Sequence, residues 1–508
     1  MMNNRRQFIR HSATGFATTL LPQWLLANHK GLSHFQRDWL KEKSLDNADV
    51  LTKAKEDIKL IRMSDVEILL INANGKPLTH TSVEVVQLKH HFNFGDCNPD
   101  MDKLFRQEGA GSEKLKHYRK LFADVLNTVN ATCYWTERPR NNMAKTEEYP
   151  GEVFYDGFAD TVDWGNANGL IVKGHPLFWP VDKAIPGWLK KYDYPTQLKF
   201  LEVRLRQLTG RFKGRVKMWD AVNEMLWEPA LKNLLQRQWP HFETVENMAE
   251  YISFVMEVVR SEDPDAVYTI NDYGLELPWP KPLKSNSGAD VTPQLQRRRY
   301  IELIQRLRST GHQPNALGLQ CHDGWQQPAD QMAFYSEMAK AGLPLHVTEF
   351  WAHTDHLKKT GVKLAANNGD FATEQFLNNT APLYSQEQID IMQADFVEQY
   401  LTGAFGHAAV DAFIFWGFMS MAVEWKTNDS PAYELKPVYH RVKKLIHEQW
   451  ATKLSLSSNG DGLVRFRGFY GDYSLRYPLI KGGAIVAADE FSVHKKQPGR
   501  VTIQTNRI

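Results

Sequence analysis

Short apolar runs alternate with longer segments of helical periodicity from about residue 92 to residue 450. Eight of these runs are rich in β-branched and aromatic residues and have the length of a buried strand. They are Phe92–Gly95, Asn127–Tyr134, Ile171–Phe178, Val216–Asn223, Val267–Asn271, Ala316–Gln320, Leu345–Glu349 and Ala412–Trp416. Eight strands that alternate with helices predict a closed parallel (β/α)8 barrel, the TIM barrel.

The clearest helix precedes the last of these strands. Ser385 and Gln388 have the spacing of a capping box, and apolar residues follow them at helical intervals. Two connections are long, Gly274–Arg299 and Trp351–Tyr384. Because long loops on the carboxyl side of barrel strands commonly build substrate clefts, both connections predict a cleft at that end.

The segments on either side of the barrel alternate apolar and polar residues with the period of a strand. Val66–Ile71 and Ser82–Leu88, around Asn74-Gly75, predict a β-hairpin. Short strands are also predicted after the barrel, at Leu454–Leu456, Leu463–Arg467, Tyr473–Tyr477, Ala484–Ala487 and Val501–Gln504. Neither flank alone can build a stable core, so we expect both to form one small all-β sandwich. Their turn and strand residues resemble Ig-like modules of the transthyretin type.

The first residues predict an export signal. Asn4–Arg10 contains two consecutive arginines, and an apolar stretch of small residues follows at Ala13–Ala27. The stretch is short for a membrane span and contains Pro22, so we expect a twin-arginine signal rather than an anchor. The predicted segments are then a signal (1–27), a linker or helical lead-in (28–57), the hairpin flank (58–91), the barrel (92–450) and the second sandwich flank (451–508).

Composition excludes some classes of function. The 508 residues include 61 basic and 59 acidic ones, and no basic stripe follows the chain, so nucleic acid is a poor partner. Cys97, Cys133 and Cys321 are too few and too scattered for a zinc site, and we expect buried fillers, with a Cys97–Cys133 disulfide as the lesser alternative. The 15 tryptophans suit stacking against sugar rings, although tryptophan also fills cores.

Two of the predicted barrel strands lead directly into glutamates, Glu224 and Glu349. Functional groups of TIM barrels lie at the carboxyl ends of the strands. Two carboxylates facing each other there are what a retaining glycosidase requires, one to protonate the leaving oxygen and one to attack the sugar. We therefore predict Glu224 as acid/base and Glu349 as nucleophile. This chemistry needs no metal, nucleotide or redox cofactor.

The order of the motifs resembles glycoside hydrolase family 10, the retaining endo-β-1,4-xylanases. Six motifs fall in order on six predicted strands: Lys173–Trp179, Trp219–Glu224, Asn271–Tyr273, Gly318–His322, Val347–Glu349 and Phe415–Gly417. The resemblance implies the same roles for the two glutamates. It also implies that Asn223 binds the 2-hydroxyl of the sugar at the cleavage point and that His322 keeps the nucleophile ionised. Gln320 and His175 would line the site.

Six aromatic residues complete the predicted substrate contacts: Trp179, Trp416, Trp425, Trp135, Tyr134 and Tyr273. Each has a structural alternative, since the tryptophans can belong to the core and the tyrosine after the fifth strand can be scaffold. The second strand departs from the family pattern. Where the family usually has Glu-Asn-x-x-Lys-Trp to hold sugars on the non-reducing side, this chain has Asn130–Trp135, of which only the tryptophan matches. Pro180 and Trp351 replace a histidine and an aspartate common in the family.

These features predict an exported retaining glycoside hydrolase that acts on xylan or xylo-oligosaccharides. The altered second strand favours an alternative in which the same mechanism acts on a different or decorated β-glycan. A third reading is a glycan-binding protein without turnover. The two paired glutamates argue against it, because binding alone has no use for two close carboxylates.

Overall fold

The computed structural model describes residues 34–97, 99–135, 146–181, 184–226, 244–276, 282–284, 290–322, 326–354, 385–426, 431–478, 485–495 and 500–504. Its strands are β1 (Met63–Ile71), β2 (Ser82–His90), β3 (Asn93–Cys97), β4 (Thr128–Thr132), β5 (Ile171–His175), β6 (Met218–Asn223), β7 (Val267–Asp272), β8 (Leu283–Lys284), β9 (Asp290–Val291), β10 (Ala316–Leu319), β11 (Leu345–Phe350), β12 (Val410–Trp416), β13 (Val423–Trp425), β14 (Tyr433–Leu435), β15 (Lys453–Ser457), β16 (Leu463–Phe469), β17 (Gly471–Pro478), β18 (Ile485–Val493) and β19 (Arg500–Gln504).

The α-helices lie between these strands and before the first of them. They span His34–Ile61, Pro99–Glu108, Glu113–Ala123, Asp156–Ala167, Tyr194–Arg211, Val245–Glu262, Pro293–Ser309, Pro328–Met338, Gln386–Phe405, Phe418–Ala422 and Pro437–Lys444. Short 3-10 turns occur at Leu189–Lys191 and Ala339–Ala341, and a π-helical turn at Leu445–Gln449. The predicted capping box is present, with the Ser385 side chain accepting from the Gln388 amide.

Eight parallel strands close into a barrel in the order β3-β4-β5-β6-β7-β10-β11-β12, which confirms the predicted TIM barrel. Each predicted barrel strand overlaps one of these eight. Strands β4, β6, β10 and β11 are buried along their whole length, as expected for strands covered by helices outside and packed side chains inside. Their carboxyl ends therefore meet at one rim.

The two flanks combine into a β-sandwich, but the predicted hairpin is wrong. Strand β1 pairs with β16 and β19, whereas β2 lies in a second sheet, in the order β15-β2-β17-β18. The sheets share a core that includes Ile68, Leu70, Val85 and Leu475, all fully buried. Both segments are strands, as the alternation of apolar and polar residues predicts, but each pairs with strands of the C-terminal flank. The connection after β1 turns at Gly75, which has φ +75°, and then crosses between the sheets.

The lead-in is a helix that continues to Ile61, beyond the predicted boundary at residue 57. Leu51, Ala54 and Ile58 are buried along one face of it. Arg62 follows and donates hydrogen bonds to the carbonyl oxygens of Phe405, His407 and Val410 at the amino end of the last barrel strand. This helix thereby fixes the sandwich to the barrel end that lies opposite the carboxyl rim.

Two further expectations concern the termini and the thiols. The predicted signal segment, residues 1–27, lies outside the described residues. Among the helices that the structure describes, none is long and apolar enough to cross a membrane. Cys97, Cys133 and Cys321, all within the described residues, are buried thiols that are not joined in disulfides, in agreement with the prediction of buried fillers.

Candidate active site

Glu349 lies on β11 at the carboxyl rim and is only 3% exposed. His322 Nε2 lies 2.8 Å from one of its oxygens, and Asn271 Nδ2 donates to the other at 2.7 Å. An ionised carboxylate only accepts, so Nε2 of His322 carries a proton in this contact. Burial by itself raises the pKa of Glu349, but the hydrogen bond and charge of His322 and the charge of His175 outweigh it. The pKa of Glu349 consequently lies below its ordinary value of 4.5.

Glu224 follows β6 on the same rim and is partly buried. The indole N–H of Trp179 donates to one carboxylate oxygen at 2.8 Å, and Gln320 Nε2 donates to the other at 3.1 Å. Gln320 Nε2 also lies 3.4 Å from Asn223 Oδ1. Both oxygens of Glu224 are therefore held in place by side chains that the sequence predicts for the site.

Asn271 connects the two glutamates. Its Nδ2 donates to Asn223 Oδ1 at 2.9 Å as well as to Glu349, and its Oδ1 accepts from the hydroxyl of Thr348 at 2.6 Å. Strand β7 lies beside β6 in the barrel, so its last residues reach the end of β6 directly. One buried amide thus sets the position of Glu349 relative to Asn223, the residue that precedes Glu224.

A second row of polar groups lies below the glutamates in the barrel interior. Asp220 Oδ2 lies 2.8 Å from His175 Nδ1 and 2.7 Å from the ammonium group of Lys173. Burial alone raises the pKa of Asp220, but the charge of Lys173 and the hydrogen bond of His175 outweigh it and hold the pKa below its usual range. Asp220 is then ionised and accepts from Nδ1 of His175, which turns Nε2 toward Glu349, 3.9 Å away.

This arrangement can carry out double displacement. Glu349 provides a buried, ionised carboxylate. Glu224 provides a carboxyl group whose oxygens contact N–H donors, and the amide of Asn271 joins Glu349 to the residue before Glu224. The model of Glycosyl hydrolase family 10 matches residues 138–444, which is more than half of the chain. The chain belongs to this family.

The sequence identity between this family 10 chain and individual relatives is low. It is 24% identical over 435 residues to the anti-sigma-I factor RsgI6 of Acetivibrio thermocellus, covering 84% of this chain and 46% of that protein. It is 21% identical over 449 residues to endo-1,4-beta-xylanase 1 of Arabidopsis thaliana, covering 88% of this chain and 40% of the relative. It is 28% identical over 240 residues to a beta-1,4-xylanase of Dictyoglomus thermophilum, covering 46% of this chain and 60% of the relative. The chain therefore spans about half the length of these relatives.

Among solved structures, xylanase 10B from Thermotoga petrophila RKU-1 in complex with xylobiose is similar to the chain. The TM-score is 0.48 and the sequence identity 18%, with 71% of this chain and 95% of that one covered. Native xylanase 10B from Thermotoga maritima gives a TM-score of 0.47 at 19% identity, with 71% and 96% covered.

Three aromatic residues of the predicted family 10 site surround the histidines. The ring of Tyr134 lies 5.7 Å from those of His175 and Trp179. Trp416 packs edge to face against both His175, at 5.7 Å, and His322, at 5.6 Å. Burial is the largest of the causes that raise the pKa of Tyr134 well above its usual value, and the nearby Glu349 and Glu224 add to it. Its phenol is therefore neutral.

Trp135 differs from the expectation that it contacts substrate. It is 2% exposed, and its indole N–H donates to Glu147 at 2.7 Å, while the guanidinium of Arg204 lies 5.5 Å from the ring centre. Consecutive side chains of an extended segment point to opposite sides. Tyr134 takes the side that faces His175, so Trp135 packs outward into the core.

Trp425 and Tyr273, the two remaining aromatic candidates, have the following contacts in the structure. Trp425 stacks on Tyr118 of an outer helix, with the ring centres 6.3 Å apart and an interplanar angle of 7°, and the ammonium group of Lys114 lies 5.5 Å from its ring. Tyr273 follows β7 and is partly exposed. Its backbone amide donates to Asp272 at 2.9 Å.

Sequence reasoning missed three residues that shape the site. Asn271, Asp220 and Lys173 all lie in the sequence motifs, but the motifs assign no role to them. The sequence contains an indication of two of these roles. Asp220 and Lys173 fall on inward positions of predicted barrel strands, and a charged residue that is buried there needs a partner. The sequence offered both partners, but pairing them required knowledge of which strands are neighbours.

Proposed function

We propose that this protein is a retaining glycoside hydrolase that cleaves β-1,4-linked xylan or xylo-oligosaccharides by double displacement. The observation that carries the proposal is the state of Glu349. A nucleophilic carboxylate must be ionised, and Glu349 is buried yet has a lowered pKa because His322 and His175 face it. A perturbed carboxylate at the carboxyl end of a barrel strand is typical of a catalytic site.

In the first step, Glu349 attacks the anomeric carbon of the sugar while Glu224 donates its proton to the leaving oxygen. The C–O bond to the departing chain breaks as the bond to the Glu349 oxygen forms. Trp179 and Gln320 hold the Glu224 carboxyl group toward the cleavage point. Asn223 lies one residue before Glu224, and its amide is held by Asn271, so it is placed to bind the 2-hydroxyl of the attacked sugar.

In the second step, Glu224 acts as base. It removes a proton from a water molecule that attacks the glycosyl-enzyme ester, and Glu349 leaves as a carboxylate. The hydrogen bonds from His322 and Asn271 stabilise the negative charge that returns to Glu349. Two inversions at the same carbon give retention of configuration.

Xylan is the first substrate to test because the relatives from Arabidopsis thaliana and Dictyoglomus thermophilum are named xylanases. The altered segment 130–135 favours a different or decorated β-glycan as the second candidate. The family match begins at residue 138, after this segment. Tyr134 is only 2% exposed and contributes a buried ring where the family usually has a lysine, so hydrogen bonds to sugar hydroxyls are replaced by apolar surface.

We also propose export through the twin-arginine pathway, on the basis of residues 5–6 and the apolar stretch that follows. Fusing residues 1–40 to a reporter that is active only after export tests this. Replacing both arginines with lysine should retain the reporter in the cytoplasm, and unchanged export would contradict the proposal.

The decisive experiment for the activity combines a variant with product analysis. Glu349→Ala should lower kcat on xylo-oligosaccharides by several orders of magnitude, as expected for loss of a nucleophile. Proton NMR of the first products of the wild-type protein should show the β-anomer. Glu337→Ala, on an outer helix, is the control and should retain wild-type kcat. Activity of the Glu349 variant, or inverted products, would refute the mechanism.

A substrate screen separates the two glycan candidates. Reducing ends should be measured on xylan, arabinoxylan, mixed-linkage glucan and cellulose with equal enzyme. Higher kcat/KM on unsubstituted xylan supports the first candidate, and preference for a substituted or glucose-based polymer supports the second. No turnover on any of them, with binding retained, would instead support a glycan-binding protein.

A further inference from the structure

We propose that Asp272 is a positioning residue, which fixes the acid/base Glu224 by holding the backbone turn behind it. The inference rests on the proposed function. Asp272 is fully buried at the end of β7 and takes no part in the chemistry described above. Both of its carboxyl oxygens accept hydrogen bonds from backbone amides, one from Leu226 at 2.8 Å and one from Tyr273 at 2.9 Å.

The turn that Asp272 holds is strained. Glu224 has φ +55°, a left-handed conformation that is rare for residues other than glycine, and it is one of three such residues in the described part of the chain. A left-handed conformation is unfavourable for a residue with a Cβ atom, so the surrounding structure must maintain it. This conformation occurs at the first residue after β6, which ends at Asn223.

Two backbone contacts maintain this conformation. The Glu224 amide donates to the carbonyl oxygen of Asn271 at 2.7 Å, and two residues later the Leu226 amide donates to the Asp272 side chain. The strained residue is thus bracketed by bonds to consecutive residues of the neighbouring strand. The first bond is made by backbone and is independent of side-chain identity. The second depends on Asp272 alone.

Loss of the hydrogen bond between Leu226 and Asp272 should affect proton donation by Glu224 specifically. If the turn relaxes, the Glu224 carboxyl group moves relative to Trp179 and Gln320, whereas Glu349 on β11 keeps its contact with His322. Proton donation to the leaving oxygen then becomes inefficient, but nucleophilic attack does not. Substrates whose leaving group needs no proton should therefore be spared.

The chain supplies a matched control at Asp96. This aspartate is also fully buried at the end of a barrel strand, β3, and accepts from the backbone amides of Gly417 at 2.7 Å and Phe418 at 2.9 Å. It therefore holds the turn after β12 through one carboxyl oxygen, whereas Asp272 uses both of its oxygens. Asp96→Asn also replaces a buried carboxyl group at the rim with an amide, but away from Glu224.

The experiment compares Asp272→Asn and Asp96→Asn on two aryl β-xylobiosides. The dinitrophenyl compound has a leaving group that departs without protonation, and the phenyl compound does not. Asp272→Asn should lower kcat/KM on the phenyl compound by about 10- to 100-fold, less than the about 10²- to 10⁴-fold contribution of general acid catalysis, because Glu224 is displaced and not removed. It should change kcat/KM on the dinitrophenyl compound by less than about threefold. Asp96→Asn should change both values by the same factor.

Equal losses on both compounds in Asp272→Asn would overturn the proposal, since a merely structural defect affects both. If this variant does not fold by circular dichroism, Asp272→Ser, which retains one acceptor oxygen without introducing an N–H donor, replaces it under the same criterion. The rates of the wild-type protein distinguish a failure of the Asp272 proposal from a failure of the proposed function. A wild-type protein that cleaves neither compound refutes the proposed function, whereas a selective defect requires that both proposals hold.

Discussion

At the scale of single residues, the site is organised around the difficulty of keeping a buried carboxylate charged. An ionised group that is removed from water is unstable unless it is paired and hydrogen-bonded. Glu349 has both kinds of support, an N–H of His322 on one oxygen and an amide of Asn271 on the other. The histidine contributes charge as well as a bond, so it should control the pH at which the nucleophile becomes active.

His322→Phe should move the acidic limb of the kcat/KM profile to higher pH. As the proposed nucleophile, Glu349 must react as the carboxylate, so activity should fall as the pH falls through its pKa. In the wild type, His322 and His175 hold that pKa below 4.5 against burial. Without His322, burial gains weight and the pKa rises. A pH profile from pH 3 to 9 measures the shift. His312→Asn, before β10 at the opposite end of the barrel, is the control, and an unshifted limb in His322→Phe would contradict the assignment.

The sequence motifs predicted which residues meet at the rim, because the ends of barrel strands are fixed by the fold. They did not predict orientation or backbone conformation. Tyr134 and Trp135 are equally aromatic in the sequence, and only the direction of the chain after β4 places the first toward His175 and the second toward Glu147. The left-handed conformation of Glu224 had no signal either, since no glycine marks the turn.

At the scale of elements, β5 illustrates how closely the barrel interior and its outer layer are coupled. Gly174 lies between Lys173 and His175, two residues that face Asp220. On the other side of the strand, the space that a Cβ atom of residue 174 would occupy is filled by the indole ring of Trp219. Trp219 is fully buried on β6, so its ring has no room to withdraw.

Gly174→Ala should destabilise the protein by about 2–3 kcal/mol, the usual cost of inserting atoms into a packed interior. Urea unfolding followed by fluorescence gives the free energy of unfolding. Gly210→Ala is the matched control. The nearest atom to its added Cβ would be a Glu262 side-chain oxygen at 3.5 Å, and the helix should gain about 0.5 kcal/mol from the loss of glycine. Equal stability of the two variants would show that the Trp219 ring can move.

The positions of strands could be predicted from the sequence where both faces of the strand are buried. Barrel strand β12 contains the continuous apolar run Ala412–Trp416, which follows a helix. The hairpin of the N-terminal flank failed for the opposite reason. Alternation in β1 and β2 shows that each strand has one buried face, but it says nothing about which strand lies beside it. The partners are almost 400 residues away, for example Ile68 opposite Val464.

In the whole molecule, the barrel lies along the sequence between the two segments that together form the sandwich. Arg465 pairs with Glu67 across the β1-β16 contact, and Leu475 faces Val85 across β2-β17. Removing residues 451–508 deletes every partner strand of β1 and β2. We expect limited proteolysis to cut within residues 63–90 in the truncated protein and not in the full chain, with the cut sites read by mass spectrometry. Equal protection would show that the N-terminal strands are stable alone.

The junction between sandwich and barrel contains a buried histidine. His90 ends β2, its Nε2 lies 2.6 Å from the carbonyl oxygen of Trp450, and its ring packs against those of Phe94, Phe405 and Phe469. Burial lowers its pKa from 6.5 to about 4, against the opposing effect of the Trp450 carbonyl. A neutral imidazole suits this aromatic environment, and a charged one does not.

His90→Gln should make the protein less sensitive to mild acid. Above pH 6.5, His90 is neutral in both folded and unfolded chains. As the pH falls from 6.5 to about 4, the unfolded chain takes up a proton that the folded protein excludes, so wild-type stability declines by up to about 3 kcal/mol through this group. Glutamine can still donate to the Trp450 carbonyl but does not titrate. Urea unfolding at pH 7.0 and 4.5 should therefore show a smaller difference in the variant than in the wild type, and exposed His117→Gln should behave as wild type. An equal pH dependence of the His90 variant would place the acid sensitivity of the fold elsewhere than at the junction of its two modules.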